Sequence, residues 1–169
     1  MSYAKAGIFF FICWLVQTTL LWRVWPFGVA PNLLLCAVVC FAWLYDENYS
    51  LVYAAIFGLL LDVQLHALFG VQALAFVLCC IPAFLLRRVF NPERTMPLVL
   101  AALIATPLND VVLWWIYSIF GSPVSLLYML HTLPERLIAH AAICFALHIL
   151  LVRTIIKHRK DRRYIGGTA

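Results

Sequence analysis

Apolar residues run along this chain in six blocks, with the polar residues gathered between them. The blocks cover 7–22, 32–45, 50–65, 71–89, 96–120 and 133–156. Each is expected to form a membrane helix, although several are short for a bilayer that needs about 20 apolar residues per helix. The second and third are the shortest. They extend by a few residues, sit in thinned bilayer, or form a re-entrant pair. Trp22, Trp25 and Pro26 end the first helix, and Pro31 with Asn32 opens the second. Trp43 and Tyr45 close the second beside the short acidic loop Asp46-Glu47, the depth that Trp and Tyr favour. Asn91, Pro92, Glu93 and Arg94 make a polar turn, and the apolar stretch 121–131 is expected as a loop on the surface. Thr132-Leu133-Pro134-Glu135 reads as the start of the sixth helix: Thr as cap, Pro in an early position, Glu reaching back.

One stretch, 49–74, carries the most information. Ala54, Gly58 and Asp62 follow each other at steps of four, which puts two small residues and a carboxylate on one helix face. Another backbone can approach closely along such a stripe. Gly70 then supplies a turn position with free φ before the next apolar run. The rest of the chain is expected to pack around this hairpin.

Composition turns the pattern into a class. Of 169 residues, 66% are hydrophobic and 11% charged, with a mean hydropathy of +0.99. A soluble domain of this size cannot hide that much apolar surface, so the chain is an integral membrane protein with one membrane domain, 1–156, and a basic tail, 157–169. No small-x-small cleavage site follows the first block, which is therefore read as a retained helix. Basic residues set the orientation. Lys5, Arg87, Arg88, Arg94 and the tail from Arg153 to Arg163 fall on one side of a six-span arrangement, leaving only Arg23 and Arg136 on the other. Both termini are then cytoplasmic. The tail suits anionic lipid headgroups or a cytoplasmic partner, and nucleic-acid binding is not expected of so short a segment. The six cysteines lie inside apolar runs, with no zinc or redox spacing.

Charged groups at membrane depth are costly, so each is a candidate site. Asp110 follows Pro107 and Asn109 in the middle of the fifth block. With Asp62 it forms either a proton or ion relay, or a set of structural polar contacts between helices. His140, Cys144 and His148 follow Arg136 at steps of four, which allows a metal site or simple helix–helix hydrogen bonding. The polar side chains available to line a pocket are few: Gln64, His66, Gln72, Asn109 and Asp110. No phosphate loop, nucleophile elbow, zinc-protease signature or dinucleotide fingerprint occurs. No catalytic, metal or cofactor residue is assigned.

Four features in order resemble the MreD family of bacterial rod-shape-determining membrane proteins. They are Pro31-Asn32 at the second helix, Gly58-x-x-x-Asp62 at the end of the third, Gly70-Val71-x-Ala73-Leu74 at the fourth, and Asp110 in the fifth. The acidic Asp46-Glu47 loop and the long basic tail depart from that pattern. The resemblance implies a non-enzymatic component of the cell-elongation complex in the bacterial inner membrane. It would bind MreC, a single-span protein, and so connect the MreB cytoskeleton with the peptidoglycan glycosyltransferase and transpeptidase pair. It also implies the fold of the substrate-binding subunits of energy-coupling-factor transporters. That fold supplies the alternative reading, a small-molecule carrier subunit. Gly58, Asp62, Gly70, Asn109, Asp110, Pro31 and Asn32 are the structural or interaction candidates, and no cofactor is implied.

Overall fold

The computed structural model describes residues 3–21, 30–45, 47–65, 68–91, 94–121 and 125–165, with side chains of the last segment described as far as Val152. Every element among the described residues is helical. The six helices are α1 Tyr3–Val16, α2 Leu33–Leu44, α3 Glu47–Leu65, α4 Val71–Val89, α5 Thr95–Ile119 and α6 Leu126–Ile165. A π-helical turn, Gln17–Leu21, extends α1. Among the described residues three helices are long and apolar enough to cross a membrane: α4, α5 and α6 over Leu126–Val152. Trp22, Arg23, Trp25, Pro26, Asp46, His66, Pro92, Glu93 and the basic side chains of the tail lie outside the described residues.

The centre of the bundle is α2. Its sequence, LLLCAVVCFAWL, is apolar on every side, and such a helix has no face for solvent. It is buried continuously from Leu34 to Trp43 and packs against all five other helices. Twelve residues span only about 18 Å, well short of a hydrocarbon core of about 30 Å. Asn32 caps the start: its Oδ1 accepts the Leu35 N–H at 3.0 Å. Phe41 of α2 joins Phe10 of α1 and Tyr53 of α3 in an aromatic cluster, with Phe57 stacked on Phe10.

The sequence places the organising role on the 49–74 hairpin, and the structure moves it to α2. The hairpin keeps a narrower distinction, since α3 and α4 meet in direct backbone contact. Their approach is set by Gly58. A Cβ built on it would lie 2.4 Å from the Cα of Ala73 and 2.7 Å from its nitrogen, distances that no side chain tolerates.

Two boundaries differ from the sequence reading. The helix α3 begins at Glu47, three residues earlier than expected, so this block is not short. More substantially, α6 begins at Leu126, and the expected surface loop 121–131 is helical over its second half. Thr132 is then no cap. Its hydroxyl donates to the carbonyls of Tyr128 at 3.0 Å and Met129 at 3.3 Å within the helix. A threonine hydroxyl can bond backwards as readily as cap, and the strongly helix-forming Leu126–Leu130 segment decides which. The chain reverses instead at Gly121, whose φ of +76° lies in the left-handed region.

Candidate functional site

Most of the polar side chains buried among the described residues of this apolar bundle fall into two groups. The first joins α3, α4, α5 and α6. Asp62, 1% exposed, sits at the last turn of α3 and faces the start of α4. Its Oδ2 accepts the Gly70 N–H at 3.0 Å, and both oxygens accept the Gln72 N–H, at 3.0 and 3.1 Å. These N–H groups belong to the first turn of α4 and have no partner within the helix. The carboxylate thus does the work of a cap from eight residues upstream, and its charge meets the positive end of the α4 dipole. Gly70 makes this possible with φ of +92°, which turns the chain back tightly enough to bring its N–H to Asp62.

From there the polar contacts pass to the next helices. The side chain of Gln72 reaches Asn109 Oδ1 of α5 at 3.5 Å, a weak bond. Beside Asn109, Asp110 Oδ1 accepts from Arg136 of α6 at 2.7 Å. Arg136 also donates to Thr132 Oγ1 at 3.1 Å and to the Met129 carbonyl at 3.3 Å. Both partners are largely withdrawn from solvent, with side chains 6% and 17% exposed. Asp110 Oδ2 and Arg136 Nε make no hydrogen bond. A cavity of about 160 Å³ adjoins the pair, walled also by Trp114, Tyr117 and Tyr128.

The second group gathers at the start of α2. Gln17 donates from Nε2 to the Pro31 carbonyl at 3.2 Å and accepts the Leu33 N–H on Oε1 at 2.6 Å. The Asn32 N–H donates to His140 Nε2 of α6 at 2.9 Å. Because a backbone N–H can only donate, Nε2 is the acceptor and Nδ1 carries the ring proton. That proton is shared with Thr106 Oγ1 of α5 at 2.8 Å, while the hydroxyl of Thr106 donates to the Ala102 carbonyl at 2.8 Å. One neutral imidazole thus ties α2, α5 and α6 together.

The sequence candidates fall into these groups unevenly. Gly58, Asp62 and Gly70 meet around the first turn of α4, Asn109 and Asp110 lie in the belt that continues from it, and Pro31 and Asn32 lie in the second group. His140, Cys144 and His148 share the buried face of α6, but they serve different neighbours: His140 serves α2 and α5, and His148 Nδ1 lies 3.1 Å from Thr95 Oγ1. Cys144 donates to the Cys36 carbonyl at 3.9 Å, and Cys36 and Cys40 donate to the carbonyls of His140 and Cys144. Among the described residues no three His, Cys, Asp or Glu side chains converge on a common point.

Three participants were missed in the sequence: Gln17, Thr106, and Arg136 as the partner of Asp110. Gln17 had a readable signal, an amide at the end of an apolar run. Arg136 reads as the beginning of the sixth span near the outer surface, because the expected helix starts only three residues before it.

A family model described as rod shape-determining protein MreD matches residues 3–158. The chain belongs to the MreD family. No curated protein and no solved structure matches it. Membership in the MreD family gives the chain a role in rod shape determination. MreD proteins are shape-determining structural membrane proteins, and the long apolar helices α4, α5 and α6 agree with that setting.

Proposed function

We propose that the chain is a non-enzymatic scaffold of the bacterial cell-elongation complex, a six-span protein of the inner membrane with both termini cytoplasmic. It binds an MreC-like single-span protein and helps couple the MreB cytoskeleton to peptidoglycan synthesis outside. The observation that carries this reading is the use made of the buried polar groups. Asp62 spends both carboxylate oxygens on the backbone of the neighbouring helix, and His140 spends both ring nitrogens on its neighbours. Groups committed in this way hold a bundle rigid. A carrier needs unoccupied polar groups around a pocket of some 300–1,000 Å³. The cavity beside Arg136 is about 160 Å³; of the larger openings described, one of about 460 Å³ is lined by apolar side chains alone and one of about 430 Å³ lies among the charged side chains where α3 begins and α4 ends, which favours the scaffold over the carrier. The Gly58, Asp62, Gly70, Asn109, Asp110, Pro31 and Asn32 positions then act by fixing the helix arrangement, while apolar outer faces remain free for a partner helix.

Gentle-detergent affinity purification from the native membrane, with mass spectrometry of what accompanies the chain, tests this. Recovery of an MreC-like protein with the cell-wall synthases is the expected result. Recovery of transporter ATPases, or of a tightly held soluble small molecule, would overturn it.

A further inference from the structure

Two openings of the bundle share one helix, α4. The first lies where α4 ends and α3 begins. It holds about 430 Å³ and is walled by Glu47, Asn48 and Tyr49 of α3 and by Phe84, Arg87 and Arg88 of α4. The second is a groove of about 460 Å³ between α4 and α5. Leu78, Ile81 and Leu85 wall it on the α4 side, Ile104 and Leu108 on the α5 side, and its described lining is apolar throughout. Arg88, Leu85, Ile81 and Leu78 follow each other at steps of three or four, so they share one face of α4. That face leads from the charged opening into the apolar groove, and Leu85 and Ile81 are exposed along it.

The charged opening lies at headgroup depth. Arg87 and Arg88 belong to the last turn of α4, which is long and apolar enough to cross a membrane, and Glu47 begins α3. The two guanidiniums are held differently. Arg87 donates from Nη1 to the Tyr45 carbonyl at the end of α2, which fixes the group beside the opening. A guanidinium has five N–H donors, so this bond leaves others for a ligand. Arg88 lies 3.9 Å from Glu47, with side chains 73% and 55% exposed. So loose and exposed an ion pair contributes little and gives way easily. Two cations face one acid among the described lining residues, and a ligand of one negative charge leaves the opening neutral. Guanidinium groups match phosphate oxygens in geometry as well as charge. A free phosphate would use the opening and leave the groove empty. A phospholipid uses both.

We propose that α4 carries a binding site for an anionic phospholipid of the phosphatidylglycerol class. The phosphate accepts from Arg87 and Arg88, and one acyl chain lies along Leu85, Ile81 and Leu78 in the groove. Basic openings between helices at the membrane surface are known to suit such headgroups. The site is separate from the basic tail, and it does not depend on which protein partner the chain has.

The test uses the full chain, purified in gentle detergent and delipidated. It is titrated with phosphatidylglycerol or with phosphatidylethanolamine of the same acyl composition, and bound lipid is counted by native mass spectrometry. Saturable binding of phosphatidylglycerol, about ten-fold tighter than the zwitterionic lipid, is expected. Arg88→Gln removes an exposed cation and leaves the Arg87–Tyr45 bond in place. It should weaken phosphatidylglycerol binding about ten-fold. Arg94→Gln is the control: it removes the same charge from an exposed position outside the opening and should leave the affinity unchanged. Equal binding of the two lipids, or equal weakening by the two variants, would overturn the proposal. Full displacement of the lipid by soluble glycerol phosphate at matched concentration would also overturn it, in favour of a phosphate site that makes no use of the groove.

Discussion

Gly58 of α3 and Ala73 of α4 touch backbone to backbone: a Cβ on Gly58 would fall 2.4 Å from the Ala73 Cα. The contact locks the α3–α4 pair at a separation that only glycine permits. Gly58→Ala forces the helices apart along their whole seam, and overpacking of this kind costs about 1–3 kcal/mol or more. Gly7→Ala is the control, since its new Cβ would meet only the Tyr53 ring at 3.9 Å. Thermal melting in detergent should show a marked loss for Gly58→Ala and almost none for Gly7→Ala. Equal melting of the two would remove the close approach as a determinant of the fold.

Gly70→Ala tests conformation rather than space. Nothing lies within 4 Å of a Cβ at Gly70, yet φ is +92°. The strain of an L residue there costs about 1–2 kcal/mol. This variant should melt lower than the parent but keep the same helix content by circular dichroism.

Asp62→Ala leaves the Gly70 and Gln72 N–H groups without acceptors, at about 1–3 kcal/mol. Asp62→Asn keeps one oxygen acceptor and should retain part of the loss. Hydrogen exchange by mass spectrometry should report the change locally, with faster exchange in the first turn of α4 and little change in α2. Uniform acceleration over the bundle would argue against a capping role.

Asp110 and Arg136 should be strongly coupled. Removing either charge alone strands the other in a poorly solvated place, at about 3–5 kcal/mol. Asp110→Leu with Arg136→Met replaces the pair by apolar groups and should recover much of the stability lost by either single variant. A double-mutant cycle gives the coupling; additive effects would mean that the two side chains do not depend on each other.

His140 is held as the Nδ1–H tautomer by its two neighbours. ¹⁵N NMR of labelled histidine should show one imidazole with a protonated Nδ1 and an unprotonated Nε2. Thr106→Val should disturb that signal and leave those of His131 and His148 in place.

Much of this architecture was set by the sequence. Six apolar blocks separated by polar breaks point to helices, because a segment in apolar surroundings must satisfy its own backbone. The Gly58-x-x-x-Asp62 spacing and the Gly70 turn likewise follow from local geometry: four residues make one face, and one glycine makes one reversal. What stayed hidden depended on distance along the chain. Nothing local says that α2 lies at the centre, since an apolar helix looks the same against lipid and against protein. Nothing local pairs Asp110 with Arg136, 26 residues away, or sets His140 against Asn32, 108 residues away. Thr132 could cap or bond backwards with equal chemistry, and only the course of the chain before it decided. The sequence determined that the apolar blocks are helical, though not where the last helix begins, and which groups needed partners, because hydrophobic patterning and desolvation act locally. The tertiary structure alone decided which partner each group found, because that depends on how the helices are packed side by side.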